Sequence, residues 1–326
     1  MLDVAIAGLG KWGQVLVDSV QGRDDVGLRF VAGCTGRPER AAAYATDKGI
    51  DLLPGLGAVL ADPRVKAVVL ATPHAQHAEQ VIAAAAAGKH VFVEKPFALT
   101  RADAAAAVAA CRKAGVVMAL GHNRRFLPAV AEMKAMLAAG GLGTILHAEG
   151  HFSGPGALSY ASGMWRADRA ESPLGGMGGM GIHMVDMLIH LMGPIAEADC
   201  RSHARALTNG LDDTTAALFT FASGATASFA TLAAAPRHWR VTLFGTDGIL
   251  ELNGHERLSF TPRDGQGWQK DFPPIDMERA ELAAFAAAIA GGPAYPLPVE
   301  DAIHGVAVFE AMIHSAAAGG PHAVAV

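Results

Sequence analysis

Cysteine is scarce in this chain: Cys34, Cys111 and Cys200 lie far apart, with no CxxC spacing. That argues against a disulfide framework or a thiolate zinc site, and no metal is expected. No run of Lys or Arg appears, and 26 basic against 31 acidic residues leave a net charge of −5 with His neutral. Nucleic acids and anionic membranes need clustered cations, so neither is an expected partner. No uncharged apolar stretch reaches the ~20 residues of a membrane span. The first residues read as a strand rather than as a basic region leading into an apolar stretch, so the expected location is the cytoplasm. Internal repeats are absent, and the Ala-rich stretches read as helix filler. What the chain does have is apolar surface, with 51% hydrophobic residues against 17% charged. Its 326 residues suit two domains better than one core.

Strand-like and helical segments alternate through the first third. Residues 2–7, 28–34, 66–72, 90–93 and 116–121 read as buried strands. Helices are expected to Val20, over 38–48 behind Pro38, over 76–87 up to Gly88, and from an N-cap at Thr100 through Ala114. Such alternation builds βαβ units and a doubly wound parallel sheet. It stops near Gly121, which sets the expected division at 1–122 and 123–326. Beyond it, helices are expected over 127–137, 181–192, 277–290 and 301–317. Strands are expected at 144–153, 197–207, 214–222, 225–232, 239–246 and 248–252. Residues 154–176 read as a loop. Turn pairs such as Ser223-Gly224 and Asp247-Gly248 imply hairpins, hence an α+β domain with one large, mostly antiparallel open sheet.

Gly8-x-Gly10-x-x-Gly13, with Lys11 and Trp12 inside it, sits between the first strand and the first helix. Gly8 permits a tight turn, Gly10 lets a pyrophosphate approach the backbone, and Gly13 lets helix and strand pack closely. The helix N-terminus adds N–H groups and partial positive charge. In that context the motif points to a nicotinamide dinucleotide. An acid at the end of the second strand would bond the ribose 2′-OH of NAD. Here Cys34-Thr35-Gly36-Arg37-Pro38-Glu39-Arg40 follows, with Thr35 in that place. Arg37 and Arg40 could neutralise a 2′-phosphate, so NADP is the expected preference, with NAD the alternative if these arginines are merely solvated. Glu94-Lys95-Pro96 follows the strand at 90–93, at the sheet end where such folds bind ligands. A lysine there could shuttle a proton to or from a hydroxyl. The bland alternative is an exposed lysine at a strand end.

Taken in order, these motifs resemble the Gfo/Idh/MocA family (glucose–fructose oxidoreductase, inositol dehydrogenase and MocA). The residues that carry the likeness are GLGKWG at 8–13, Ala71-Thr72-Pro73 with His77, Glu94-Lys95-Pro96, and Gly121-His122-Asn123-Arg124-Arg125-Phe126. Trp165-Arg166 and Gly181-Ile182-His183-Met184-Val185-Asp186 complete the set. The resemblance implies a Rossmann domain followed by a domain whose open sheet forms homodimer or homotetramer contacts. It implies hydride transfer between NAD(P) and a secondary alcohol or ketone of a sugar, polyol or related molecule. By the resemblance, Lys95 is the catalytic lysine. Ala71, Thr72, Pro73, His77, Glu94 and Pro96 lie along the cofactor, and Asn123 and Arg124 border the active site.

One departure stands out. The family commonly has an Asp four residues before the histidine matched by His183, and here that position is Gly179. His183 remains the next acid/base candidate, or else a satisfied helical histidine. Asp186, one turn on, either orients it and binds substrate or bonds backbone. A metal held by His183, Asp186 and His190 is not expected. His122 and His151 are candidates to reach the substrate. His74, His147 and His203 read as ordinary. Trp165 and Arg166 are candidate substrate and cofactor contacts, or a loop anchored by one Trp. Two rival functions stand beside the dehydrogenase: a glycosidase or lyase that cycles bound NAD without net consumption, and a dinucleotide-binding sensor with no activity.

Overall fold

A computed structural model describes residues 1–161 and 163–325; Ser162, within the expected loop, and Val326 lie outside them. The chain forms two units, one of residues 1–123 with 276–303 and one of 124–275 with 304–326. The expected division gave everything after residue 122 to the second domain. The structure returns 276–303 to the first unit because an apolar helix face there packs on that unit's own helix and strands.

The first unit alternates β1 (Leu2–Ala7), α1 (Lys11–Val20), β2 (Leu28–Cys34), α2 (Pro38–Lys48), β3 (Asp51–Leu52), α3 (Leu56–Ala61) and β4 (Ala67–Leu70). It continues through α4 (His77–Ala86), β5 (His90–Val93), α5 (Arg101–Ala114) and β6 (Met118–Leu120). All six strands are parallel, in the order β3-β2-β1-β4-β5-β6. Val68, Val69, Leu70, Val91, Phe92 and Val93 are buried, as both faces of a helix-covered parallel sheet require. Strand order reverses beside β1, so the crevice at the carboxyl ends of β1 and β4 is the place such a sheet offers a ligand. The short β3 and α3 were not expected, since two strand residues and six helical ones give too little periodicity to read.

The second unit begins with α6 (Pro128–Ala138), β7 (Ile145–Ser153) and α7 (Gly181–Met192). The antiparallel run β8 (Ile195–His203), β9 (Thr214–Phe221), β10 (Thr226–Leu232), β11 (His238–Gly245) and β12 (Gly248–Asn253) follows. β13 (Arg257–Pro262) and β14 (Trp268–Asp271) extend it. Then come α8 (Met277–Ile289), in the first unit, α9 (Val299–Ala318) and β15 (His322–Ala323). The sheet order is β14-β13-β12-β11-β7-β10-β9-β8-β15, antiparallel except for β7 beside β10. Strands β13 and β14 were missed. β14 is exposed at every residue and held by the Arg257–Asp271 pair and the Phe260–Trp268 contact, so it lacks the alternation that marks a strand.

The sheet has two distinct faces. Gly150 of β7 lies against Met184 of α7, and Phe152 lies against His183, so the even positions of β7 face the helix. His147, Glu149, His151 and Ser153 face the other way, beside His238, Arg240 and Phe244 of β11. Among the described residues no helix is long and apolar enough to cross a membrane. Burial pushes the thiols of Cys34 and Cys111 up to about 11 and that of Cys200 to about 12.

Candidate active site

The glycine turn is built by exclusion. Gly8 holds φ +99°, and a Cβ there would clash with the backbone carbonyl of Ala71. A Cβ on Gly13 would clash with the carbonyl of Gly8 itself. Gly10 differs: nothing lies within 4 Å of the place its Cβ would take. Helix α1 starts there with no side-chain cap and no acid in its first turn, so its leading N–H groups face outward beside an open approach. The residues present therefore fit a dinucleotide pyrophosphate. Lys11 is exposed and Trp12 half-buried.

At the end of β2, Thr35 is half-buried while Gly36, Arg37 and Arg40 are exposed. Neither arginine has an ion pair among the described residues.

Glu94 and Lys95 follow β5. Glu94 is only 4% exposed, and Gly121 makes room for it, since a Cβ there would meet Glu94 Oε1 at 3.0 Å. Its Oε2 accepts the Lys95 backbone N–H at 3.3 Å. Burial raises the proton affinity of Glu94, and the charge of Lys95 opposes that rise. The Trp12 indole N–H also lowers it, but the approach falls short of hydrogen-bond geometry, leaving Trp12 Nε1 and Glu94 Oε1 without a proper partner. Lys95 is half-buried, and its bond to Pro96 is cis.

His77 was expected along the cofactor, yet it is fully buried and has no surface to offer one. Its Nδ1 lies 2.8 Å from the Pro96 carbonyl oxygen and its Nε2 3.0 Å from that of Thr72. It brackets two segments, and the neutral ring donates through one nitrogen. Burial lowers its proton affinity, an effect the carbonyls oppose and Lys95 reinforces. The Thr72 hydroxyl donates to Gln80 Oε1 at 2.6 Å, so that side chain turns onto α4. Ala71 and Pro73 are half-buried beside it. His122 and Asn123 close the unit at 5% and 3% exposure. Asn123 Nδ2 donates to Glu278 Oε1 at 2.9 Å. Glu278, in the first turn of α8, was not singled out from the sequence. Its helix looked like part of the other domain, and an acid in a first turn is ordinary.

The second unit gathers its own set. His183, 5% exposed on α7, has its ring 6.2 Å from that of Phe152, and Arg124 lies 4.6 Å over the other. Phe152, absent from the expected residues, joins the two that were present. Asp186 was a candidate for substrate. Instead it accepts from Arg125 Nε at 3.0 and 3.1 Å and from Nη2 at 2.8 Å, with the guanidinium 1% exposed. His151 was also a candidate, but strand alternation turns it to the sheet face away from α7, where it meets Ser153 and His238. Trp165 and Arg166 stack on one another at 4.1 Å in a short turn. Gly179 is exposed, and nothing lies within 4 Å of its Cβ position. Among the described residues no group of three or more His, Cys, Asp or Glu could hold a metal.

Comparison with known proteins agrees with this arrangement. Residues 2–122 match the model of an oxidoreductase family with an NAD-binding Rossmann fold, and residues 130–251 match a Gfo/Idh/MocA C-terminal domain. The 1,5-anhydro-D-fructose reductase of Ensifer adhaerens is 33% identical over 294 residues, 86% of each chain. The D-apiose dehydrogenase of Paraburkholderia graminis is 33% identical over 261 residues, covering 77% of this chain and 68% of that one. Among solved structures, levoglucosan dehydrogenase with NADH and levoglucosan superposes with a TM-score of 0.87 over 100% of both chains, at 24% identity, a likeness of fold. The parallel sheet opened by a glycine turn, the buried Glu94 beside Lys95 and the antiparallel sheet under α7 thus belong together: the chain is a member of the Gfo/Idh/MocA family of NAD(P)-dependent oxidoreductases.

Proposed function

We propose that the chain interconverts a secondary alcohol and a ketone on a sugar, polyol or related small molecule, with NADP preferred over NAD. The observation that carries this reading is Lys95, half-buried at the carboxyl end of β5, in the sheet whose first turn leaves Gly10 open to a pyrophosphate. Bound there, the cofactor supplies or accepts the hydride. The first-turn N–H groups at Lys11, Trp12 and Gly13 hold its phosphates, and Arg37 and Arg40 hold a 2′-phosphate. Thr35 and Gly36 line the ribose end. Ala71, Thr72, Pro73 and Asn123 shape the path of the dinucleotide, and His77 fixes Thr72 and Pro96 from below. Lys95 Nζ passes the proton to or from the substrate oxygen, with Glu94 beside it to hold the ammonium charge. On the second unit, His183 assists as acid or base. Arg124, His122, Trp165 and Arg166 contact substrate or cofactor. The relatives' named activities on an anhydrofructose and on apiose support a sugar-like substrate. The same reading places the protein in the cytoplasm as a homodimer or homotetramer. Its contact surface is the sheet face away from α7, where Leu218 and Ile249 are exposed.

The test is Lys95→Ala assayed against a panel of sugars, polyols and sugar acids with both cofactors. Turnover should fall by roughly 10²–10⁴-fold while cofactor affinity is kept, and KM should be lower for NADP than for NAD. Unchanged turnover removes Lys95 from the mechanism. A marked NAD preference overturns the role given to Arg37 and Arg40.

A further inference from the structure

The sheet ends of the first unit hold two carboxylates where the sequence suggested one. Glu94 is buried, with Oε1 lacking a partner. Glu278 reaches the same place from α8, which packs on α1, β2 and β5 of this unit. Its Oε1 accepts the Asn123 side-chain amide at 2.9 Å. Its negative charge also makes Glu94 harder to ionise, which places the two acids within electrostatic reach of each other. Among the described residues, the Lys95 ammonium group is the cation shown to act on Glu94. With both carboxylates ionised, these three side chains together carry one excess negative charge. If Glu94 keeps a proton, Glu278 supplies the balancing charge alone.

The two redox forms of a nicotinamide differ in charge. The oxidised ring is a cation and the reduced ring is neutral. A fixed carboxylate near the ring binds the first more tightly and leaves the second almost untouched. We infer that Glu278 is a positioning residue that fixes Asn123 and biases this site toward the oxidised cofactor. The inference rests on the reading that the nicotinamide lies at the carboxyl ends of β5 and β6. It goes beyond that reading by naming a residue that sets which redox state is held. By linkage, tighter binding of the oxidised form makes hydride transfer to the bound cofactor harder and hydride transfer from it easier.

The experiment is equilibrium binding of NADP⁺ and NADPH, with NAD⁺ and NADH in parallel, to the full chain by calorimetry at low salt. Glu278→Gln keeps the shape and can still accept from Asn123, but removes the charge. It should weaken the oxidised form by on the order of three- to tenfold and change the reduced form by less than about twofold. Added salt should shrink the difference between the forms. Glu278→Asp, which retains the charge, should keep the wild-type ratio of the two dissociation constants within about twofold. Equal weakening of both forms by Glu278→Gln marks a merely structural contact and overturns the inference, as does an unchanged affinity for the oxidised form. A wild-type chain that binds neither cofactor pair overturns the proposed function itself. Tight wild-type binding with no charge-dependent ratio overturns only the role of Glu278.

Discussion

Removing Arg125 while keeping Asp186 tests what the buried ion pair on α7 is for. The guanidinium is 1% exposed and the carboxylate 6%, and three charge-assisted contacts of 2.8 to 3.1 Å join them. In Arg125→Ala the Asp186 carboxylate keeps its burial and loses its counter-charge. Breaking a buried pair from one side costs about 3–5 kcal/mol, mostly because the remaining charge has no compensation. With a urea m-value of about 2 kcal/mol/M, a loss of about 4 kcal/mol moves the midpoint by about 2 M. Trp165, Trp239 and Trp268 all belong to the second unit, against Trp12 alone in the first, so tryptophan fluorescence chiefly reports the relevant transition. The double variant Arg125→Met/Asp186→Leu removes both charges and should recover most of that loss. A midpoint shift below about 0.5 M for Arg125→Ala would refute the reasoning, as would a double variant no more stable than the single one. The result also separates two roles for Asp186. If it served substrate rather than Arg125, Asp186→Asn would raise KM and leave the urea midpoint in place.

Two further predictions come from the first unit. Gly10→Ala should leave thermal stability within about 1 °C of wild type, because nothing occupies the space of its Cβ. It should weaken cofactor binding at least tenfold by a rough estimate, because the methyl group stands where the pyrophosphate must approach. Gly8→Ala should destabilise the fold itself, as its φ of +99° and the Ala71 carbonyl leave no room. Melting curves with and without NADP tell the two apart, and a stable Gly10→Ala with full affinity would sink the cradle. The second prediction concerns pH. Burial depresses the proton affinity of His77 in the folded chain, whereas the unfolded chain protonates near its ordinary value of about 6.5. The unfolded state therefore binds more protons between those two values. The stability His77 contributes is complete above about pH 6.5 and is lost as pH falls below it, by up to about 1.4 kcal/mol per pH unit. His90, His151 and His255 are depressed in the same direction, so His77→Asn should reduce the acid slope of chemical unfolding without abolishing it. An unaltered slope would show that His77 is charged in the fold.

Legibility from sequence followed the kind of force that places each residue. The strands over 28–34 and 90–93 and the helix over 38–48 were readable because burial period and cap chemistry are local, as at Pro38. The glycine turn was readable because Gly8 and Gly13 answer steric demands set by neighbours a few residues away or next to the adjoining strand, while Gly10 leaves an open approach. His151 was misplaced because strand parity decides its face. Parity could be counted only once Phe152 was known to lie against His183. Asp186 and Arg125 are 61 residues apart, and nothing in either local pattern announces the pair. Glu278 lies 155 residues beyond Asn123, on a helix whose period fits either unit.

These misses share a cause, and the cause bears on function. Position 179 is a glycine where the family resemblance implies an acid. The charge arrangement around Lys95 must then be judged from the groups the fold delivers, not from the motif alone. In the first unit those groups are Glu94, next to Lys95 in the chain, and Glu278, brought near Glu94 only by folding. An enzyme can balance one lysine with carboxylates from different elements, since what matters at the reacting atoms is the summed field and not the sequence position of its sources. The absence of the acid at Gly179 therefore does not argue for a silent sensor while Glu94 lies beside the lysine and Glu278 lies within electrostatic reach of Glu94. Glu94→Gln and Glu278→Gln made together should depress turnover more than the product of their separate effects, because either acid alone still offsets the ammonium charge. Strictly multiplicative rates in steady-state assays would mean that the two carboxylates act independently, and the shared field would be the wrong description.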